Sequence, residues 1–191
     1  MPAQRRYFRL KQEMKAGNWS LGDPLDERGQ EVENLWAFSA GQRLPQGRRL
    51  SLPIDEPGRR LDFSLAGISL APILHVRVAT LFSQLAPEDV QLLPVDIPGH
   101  PDQYLMLVAT KLVRCIDDAA SKEVRYWTPE DGRPEKLGTY RSVVDLRIDP
   151  SRVGDAKVFR TWGWSIALIV SEELKTSIER AEVTGATFEE A

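Results

Sequence analysis

The stretch KVFRTWGWSIALIVSEELKTSIERAE, residues 157–182, decides the fold class that the sequence predicts. It contains two short apolar runs, at 157–163 and 165–170, whose length and β-branched content are typical of strands. Ser171 then precedes two glutamates, and a serine N-cap followed by acids in the first turn favours the start of a helix. An apolar stripe at helical spacing continues from there, so the segment predicts two strands followed by a helix over 172–182.

Strands outnumber helices in the rest of the chain. Pro72 suits the first turn of a helix, and apolar residues recur at i, i+4, i+7 and i+11 beyond it, so a helix is predicted over 72–85. Residues 1–60 are rich in Gly, Pro and charge, which predicts an irregular part of short strands and loops. Pro94 interrupts one predicted strand, which indicates a sheet edge or a bulge. The further predicted strands are 5–11, 34–38, 49–54, 90–97, 102–117, 123–127 and 142–148. We therefore expect one α+β domain over 1–191, with a mainly antiparallel sheet and two principal helices.

The composition is that of a globular protein without a preference for nucleic acid. The 191 residues carry 25 Lys/Arg against 28 Asp/Glu, so a net charge of −3 provides no overall positive field. Residues 1–60 have a balance of +3 and the remainder −6, which either orients a partner or is ordinary surface. A single cysteine excludes an intrachain disulfide. No apolar run has the length of a membrane span or the form of a signal peptide, so we expect a cytoplasmic protein.

The stretch RCIDDAASKEVRYWTPEDG, residues 114–132, is the strongest candidate for a catalytic site. Asp117, Asp118 and Glu123 have the chemistry of general acids and bases, a role that requires them to converge in a cleft. Interleaved bases and the turn residues Pro, Asp and Gly instead favour a strand, a solvated turn and a second strand, with Asp117 accepting backbone amides. We predict no catalytic residue and keep an enzyme that uses these three carboxylates as an alternative.

No metal or cofactor site is predicted. His75 and His100 are the only histidines, one on the predicted helix and one in a loop, and neither has a partner at ligand spacing. Cys115 lies in an apolar strand, where a buried thiol is expected. No phosphate-binding glycine loop and no serine-nucleophile motif occurs in the sequence.

The five tryptophans give a better lead than the titratable residues. Trp162 and Trp164 alternate within a predicted strand, so they are expected to share one face. Core packing is the favoured role; if exposed, they would form an aromatic ledge of the kind that anchors protein interfaces. A ligand-binding or scaffold module with an aromatic-lined pocket beside Trp36 or Trp162 is a further alternative.

Eight stretches, in order along nearly the whole chain, carry a resemblance to a known family. They are YFRL (7–10), WSLGDP (19–24), LDFSLAGISLAPIL (61–74), VQLLPVDI (90–97), RCIDDAASKEVRYW (114–127), GTYR (138–141), LRIDPSRVGDAKVFR (146–160) and IVSEELKTSIERAEVTGATFEE (169–190). Together they resemble immunity-protein family eleven of bacterial polymorphic toxin systems. The resemblance implies a small cytoplasmic protein that occludes a cognate toxin without catalysis, the toxin being encoded by an adjacent gene. It carries no catalytic residue over to this chain.

Candidate contacts to such a toxin lie in two places. Trp127, Glu130 and Asp131 belong to the charged turn, and Trp162 and Trp164 join them if their strand is exposed. The acidic surplus beyond position 60 would complement a toxin with a positive surface, such as a nuclease.

Overall fold

The computed structural model describes residues 5–191, which form two five-stranded sheets, two two-stranded sheets and two α-helices. The strands are β1 (Tyr7–Gln12), β2 (Ser20–Leu21), β3 (Leu50–Ser51), β4 (Ile54–Glu56), β5 (Phe63–Ala66), β6 (Ala71–His75), β7 (Val90–Ile97), β8 (His100–Ala109), β9 (Leu112–Val113), β10 (Glu123–Tyr126), β11 (Tyr140–Val144), β12 (Val158–Thr161), β13 (Leu168–Ser171) and β14 (Ala186–Glu190). The helices are α1 (Val76–Leu85) and α2 (Glu172–Arg180). Strand pairing is mostly antiparallel, with β3–β7 and β9–β12 parallel, which confirms the predicted α+β class.

The first five-stranded sheet joins the two ends of the described chain. Its strand order is β14-β1-β13-β12-β9, so β1 lies between β14 and β13. Both pairings are antiparallel, with Tyr7 opposite Ser171 and Phe8 opposite Glu190. β1 is therefore an interior strand, although it comes from the part of the sequence richest in loops.

The second five-stranded sheet is built from the middle of the chain, in the order β3-β7-β8-β6-β5. β7 and β8 form its longest antiparallel pair, with Val90 opposite Ala109. The pairing register shifts between Val95 and Ile97, in agreement with the bulge that Pro94 indicates.

The main core lies between the two large sheets and the two helices. It contains Phe8, Val158 and Leu168 from the first sheet, Phe63, Leu74 and Leu107 from the second, and Val78, Phe82, Leu174 and Ile178 from the helices. Burial of each such side chain contributes about 1.5–3 kcal/mol. Two further clusters cover the outer faces: one contains Trp19 and Phe38, and the other contains Phe159 and Cys115, whose predicted burial is confirmed.

Helix α2 follows the prediction and helix α1 departs from it. Ser171 caps α2, its Oγ accepting the N–H of Leu174 at 3.4 Å. Residues 72–75 belong to β6, which pairs with β5 and β8, so the helix predicted from position 72 was wrong over its first turn. The cap of α1 is His75, whose Nδ1 accepts the N–H of Arg77 at 3.3 Å. Pairing on both sides of β6 overrides the local helical pattern there.

Other predicted strands also need correction. Residues 34–38 fall in a 3-10 helix, Leu35–Ser39, because a short apolar run does not by itself distinguish a strand from a buried helical turn. The strand predicted over 102–117 is broken into β8 and β9, and β8 begins at His100, which was expected in a loop. Strand β11 ends before Asp145, whose φ of 46° leaves the extended region. Strands β5 and β14 were not predicted.

The pair Trp162 and Trp164 does not lie in a strand. β12 ends at Thr161, and the chain turns at Gly163 with a φ of 82°. The prediction that the two tryptophans share one strand face was therefore wrong, since alternation of side chains holds only within a strand.

Candidate partner-binding surface

The hairpin of β10 and β11 holds two tyrosines together on one surface. Tyr126 lies opposite Tyr140 in the pairing register, and their rings stack with centroids 4.8 Å apart. Both hydroxyls donate to the carboxylate of Asp118, Tyr140 at 2.6 Å and Tyr126 to the second oxygen. The hydrogen bond to Asp118 raises the pKa of Tyr126, and burial together with the same carboxylate raises the pKa of Tyr140. Both rings are therefore fixed, with their hydroxyls protonated at neutral pH.

Asp118 is positioned by the turn that begins at Asp117. One carboxylate oxygen of Asp117 accepts the N–H groups two and three residues ahead, at 3.0 and 3.1 Å, as predicted. The N–H of Asp117 donates to the carbonyl of Arg147 at 2.9 Å. The segments 114–117 and 123–127, predicted as successive strands around this turn, do not pair with each other, because the first pairs near Ile148 and β10 pairs with β11.

The turn that contains Trp162 packs against the loop end of this hairpin. The N–H of Tyr140 donates to the carbonyl of Gly163 at 3.0 Å. A Cβ at Gly163 would lie 3.0 Å from the Tyr140 ring, so glycine permits both the close approach and the positive φ. The guanidinium carbon of Arg114 lies 3.7 Å from the centroid of the Trp162 ring, a cation–π contact that holds the indole on the surface.

The loop after β10 adds a fourth aromatic side chain, that of Trp127. The indole N–H of Trp127 donates to the carbonyl of Tyr140 at 3.1 Å. The Lys136 ammonium lies 4.7 Å, and the Arg141 guanidinium carbon 5.5 Å, from the centroid of this ring. Trp127 is half-buried between these cations and the hairpin.

Of the two acidic residues predicted as contacts in this loop, Asp131 stabilises the loop conformation and Glu130 does not. Asp131 accepts the N–H of Thr128 at 2.9 Å and pairs with Arg141 at 2.6 Å. The hydrogen bonds from Thr128, followed by the charge of Arg141, lower the pKa of Asp131. Glu130 is exposed and makes no side-chain hydrogen bond or ion pair with residues 5–191.

These side chains lie on or beside the β10–β11 hairpin, and we call the group the aromatic surface. It consists of Arg114, Tyr126, Trp127, Tyr140, Arg141 and Trp162. All six are exposed or half-buried, and each is held by at least one contact within the patch or its supporting turns. The surface is therefore largely preorganised, which lowers the entropy that a partner must overcome on binding.

Two of the five predicted contact residues, Trp127 and Trp162, belong to the aromatic surface, and Glu130 and Asp131 lie in the loop at its border. Trp164 packs against the outer core cluster of the first sheet, and Arg9 covers its ring at 4.9 Å. Tyr126, Tyr140 and the two arginines were not predicted from the sequence. The pairing register of the antiparallel hairpin places Tyr126 opposite Tyr140, and this register is the signal that could have identified the two tyrosines.

The three carboxylates of the enzymatic alternative do not converge. Asp117 is engaged by backbone amides, Asp118 by two tyrosines, and Glu123 by Arg125 at 2.5 Å. Within residues 5–191 no group of three His, Cys, Asp or Glu side chains is arranged to hold a metal ion. Neither Trp36 nor Trp162 lines any of five clefts found in this part of the chain, so the aromatic-lined pocket gains no support.

Ion pairs within the molecule partly neutralise the uneven charge of the sequence. Arg6 pairs with Glu172 and Glu190 at 2.9 and 3.0 Å, and Lys11 pairs with Glu189 at 2.7 Å. Bases of the first third thus neutralise acids at the other end of the chain. The acidic surplus is consequently a weaker guide to a partner than the aromatic surface.

Neither α-helix of the described chain combines the length and apolar composition required to cross a membrane.

A fixed patch of tryptophan, tyrosine and arginine is typical of protein-binding modules, in which these three residue types supply most of the binding energy. The family model described as Immunity protein family (Imm11) matches residues 75–191. Since this match covers more than half of the sequence, the chain belongs to the Imm11 immunity protein family, the family that its sequence resembles. Membership implies a toxin-neutralising role and a toxin as partner. No curated protein sequence matches the chain.

Proposed function

We propose that this protein binds its cognate toxin through the aromatic surface and neutralises it by occlusion, without chemistry of its own. The complex forms in the cytoplasm, with a toxin encoded by an adjacent gene. Family membership supports the toxin-neutralising role, and the aromatic surface supports the proposed mode of binding.

The observation that carries this proposal is the joint fixation of four aromatic residues and two arginines around one hairpin. Tyr126 and Tyr140 are stacked and tied to Asp118, and Trp162 is held by Arg114. Large rings that are already ordered contribute contact area at little entropic cost. A patch of this kind at the centre of an interface of about 800 Å² per partner suits a stable complex.

The partner is tested first. The protein is co-expressed with the product of the neighbouring gene, and we expect a stoichiometric complex and protection of the host cell. Absence of both would refute the toxin-binding role of this chain.

The surface is tested by substitution. Trp127→Ala and Tyr126→Ala are each expected to weaken the complex by about 2 kcal/mol or more, which is roughly a thirtyfold rise in Kd. Trp36→Ala is the matched control, because Trp36 is 55% exposed and lies in the 3-10 helix Leu35–Ser39, outside the aromatic surface. Circular dichroism verifies that each variant is folded. Equal toxin affinity of all three variants would place the interface elsewhere.

A further inference from the structure

A cleft of about 510 Å³ opens between the end of the first sheet and the N-terminal loops, and none of its lining residues belongs to the aromatic surface. Leu10, Leu65 and Leu168 contribute apolar walls. Met14 and Ile68 are also part of its lining and are 90% and 65% exposed, so the mouth of the cleft is apolar as well.

Arg160 lies at the buried end of this cleft and is only 1% exposed. Its Nη1 donates to the carbonyl of Ile166 at 3.0 Å, whereas Nε and Nη2 are buried without an acceptor among residues 5–191. Burial, and secondarily the positive charge of Arg9, lower the pKa of Arg160 to about 10, so the guanidinium is still charged at neutral pH. A buried charge with two unused donors is strongly destabilising unless an anion compensates it.

The two unused nitrogens are the pair that binds a carboxylate side-on. The same pair is filled twice elsewhere in this molecule. Nε and Nη2 of Arg49 bind Asp96 at 2.6 and 2.7 Å, and those of Arg77 bind Asp62 at 3.2 and 2.6 Å. Parallel N–H donors of an arginine match the two oxygens of a carboxylate in geometry and charge.

From the open donor pair of Arg160 and the apolar cleft that leads to it, we propose a binding site for a small carboxylate with an apolar body. The carboxylate pairs with Nε and Nη2, and the apolar body lies against the leucines. Both nitrogens are shielded from water in this conformation, so the carboxylate reaches them when a lining side chain shifts. The site is separate from the aromatic surface and does not depend on the proposed function.

The remaining charges of the cleft restrict the ligand to a low negative charge. Asp23, Asp55 and Lys11 are part of the lining. Neither aspartate forms an ion pair with Arg160, and Lys11 is already paired with Glu189 at 2.7 Å. Asp23 is itself engaged, accepting the N–H of Ile68 at 2.9 Å. Two carboxylates near the cleft repel a polyanion such as a nucleic acid, whereas a monoanion is attracted by the nearer Arg160 and Arg9.

The test uses the full chain and three probes in isothermal titration and thermal unfolding. Octanoate has the charge and the apolar body, octanol has the body alone, and inorganic phosphate has the charge alone. We expect octanoate to bind and to raise Tm, and the other two to have little effect. Arg160→Met removes the charge and preserves the approximate shape, and is expected to weaken octanoate binding by about tenfold to a hundredfold.

The control is Arg43→Met, in an exposed arginine of the N-terminal part, which should bind octanoate like the unsubstituted protein. Arg160→Met should also be no less stable than the unsubstituted protein without ligand, since it removes an uncompensated buried charge. Equal octanoate affinity in Arg160→Met, equal binding of octanol, or phosphate binding as tight as that of octanoate would each overturn the proposal. A lack of binding by all three probes would also overturn it.

Discussion

Asp62 connects the N-terminal half of the chain to its C-terminal segment by hydrogen bonds. Its replacement by asparagine tests how much these bonds contribute to the free energy of unfolding. Its Oδ2 accepts the N–H and the hydroxyl of Thr184 at 2.9 and 2.8 Å. The same oxygen accepts from Nη2 of Arg77 at 2.6 Å, and Arg77 also donates to the carbonyls of Ala181 and Glu182. The Asp62 side chain is 18% exposed, so solvent screens these bonds only in part.

The magnitude follows from the pKa of Asp62. Burial alone would raise this pKa, but the hydrogen bonds from Arg77 and Thr184 prevail and lower it from 3.8 to about 2. At 1.36 kcal/mol per pKa unit, the difference of about 1.8 corresponds to roughly 2 kcal/mol of stability. Because the folded pKa lies below the unfolded one, this contribution is present above about pH 5 and is lost as the pH falls towards 2. At pH 3 about half of it remains.

The assay is urea unfolding of Asp62→Asn and the unsubstituted protein at pH 7 and pH 3. We expect the free energy of unfolding to fall by about 2 kcal/mol at pH 7 and by about half as much at pH 3. Asp155→Asn is the control, since Asp155 is 95% exposed and its change should stay within about 0.5 kcal/mol. An unchanged stability, or a loss that is independent of pH, would refute the reasoning.

Three further predictions concern the interior of the molecule. Residues 75–191 expressed alone should give no dispersed NMR spectrum, because β1 would be missing from the middle of the first sheet; a folded fragment would contradict this. Gly185→Ala should lower stability in thermal unfolding by more than about 2 kcal/mol, since its Cβ would lie 2.3 Å from the carbonyl oxygen of Phe63. Gly99→Ala also has a positive φ but no atom within 4 Å, and should cost only about 1 kcal/mol. Burial raises the pKa of Cys115 to about 12, so a thiol reagent at pH 8 should label it only on unfolding; fast labelling of the folded protein would show that the thiol is accessible.

The sequence predicted an element correctly where all the residues that determine its structure lie close together in the chain. The helix after Ser171 was predicted because the cap, the acids and the apolar stripe all lie within a dozen residues. The turn at Asp117 was predicted for the same reason. The helix expected from position 72 failed because β6 is fixed by β5 and by β8, whose pairing residues lie about 30 positions further along the chain. Pairing at that separation leaves no mark in a local pattern.

The candidate site was likewise predicted only in part. Trp127 and Trp162 stand out in the sequence as aromatic residues among charges, which is why they were predicted as contacts. Their meeting with Tyr126 and Tyr140 depends on the register of β10 with β11 and on the docking of a turn more than 20 residues away. Trp164 shows the converse, since the positive φ at Gly163 ends the alternation of side chains, and the two tryptophans contact different arginines, Trp162 with Arg114 and Trp164 with Arg9.

The family match does not begin at a boundary of the fold. The two proposed sites differ in how they lie relative to the matched residues. The match begins at His75, the last residue of β6, whereas the two large sheets combine strands from both sides of that position. All six residues of the aromatic surface lie inside the matched range. The cleft of Arg160 is lined on one side by Met14, Leu65 and Ile68, which lie outside it. Toxin binding is therefore expected to depend on features of the family, and carboxylate binding on the N-terminal part of this chain. Substitutions in the aromatic surface should accordingly leave octanoate binding intact, and Arg160→Met should leave toxin binding intact.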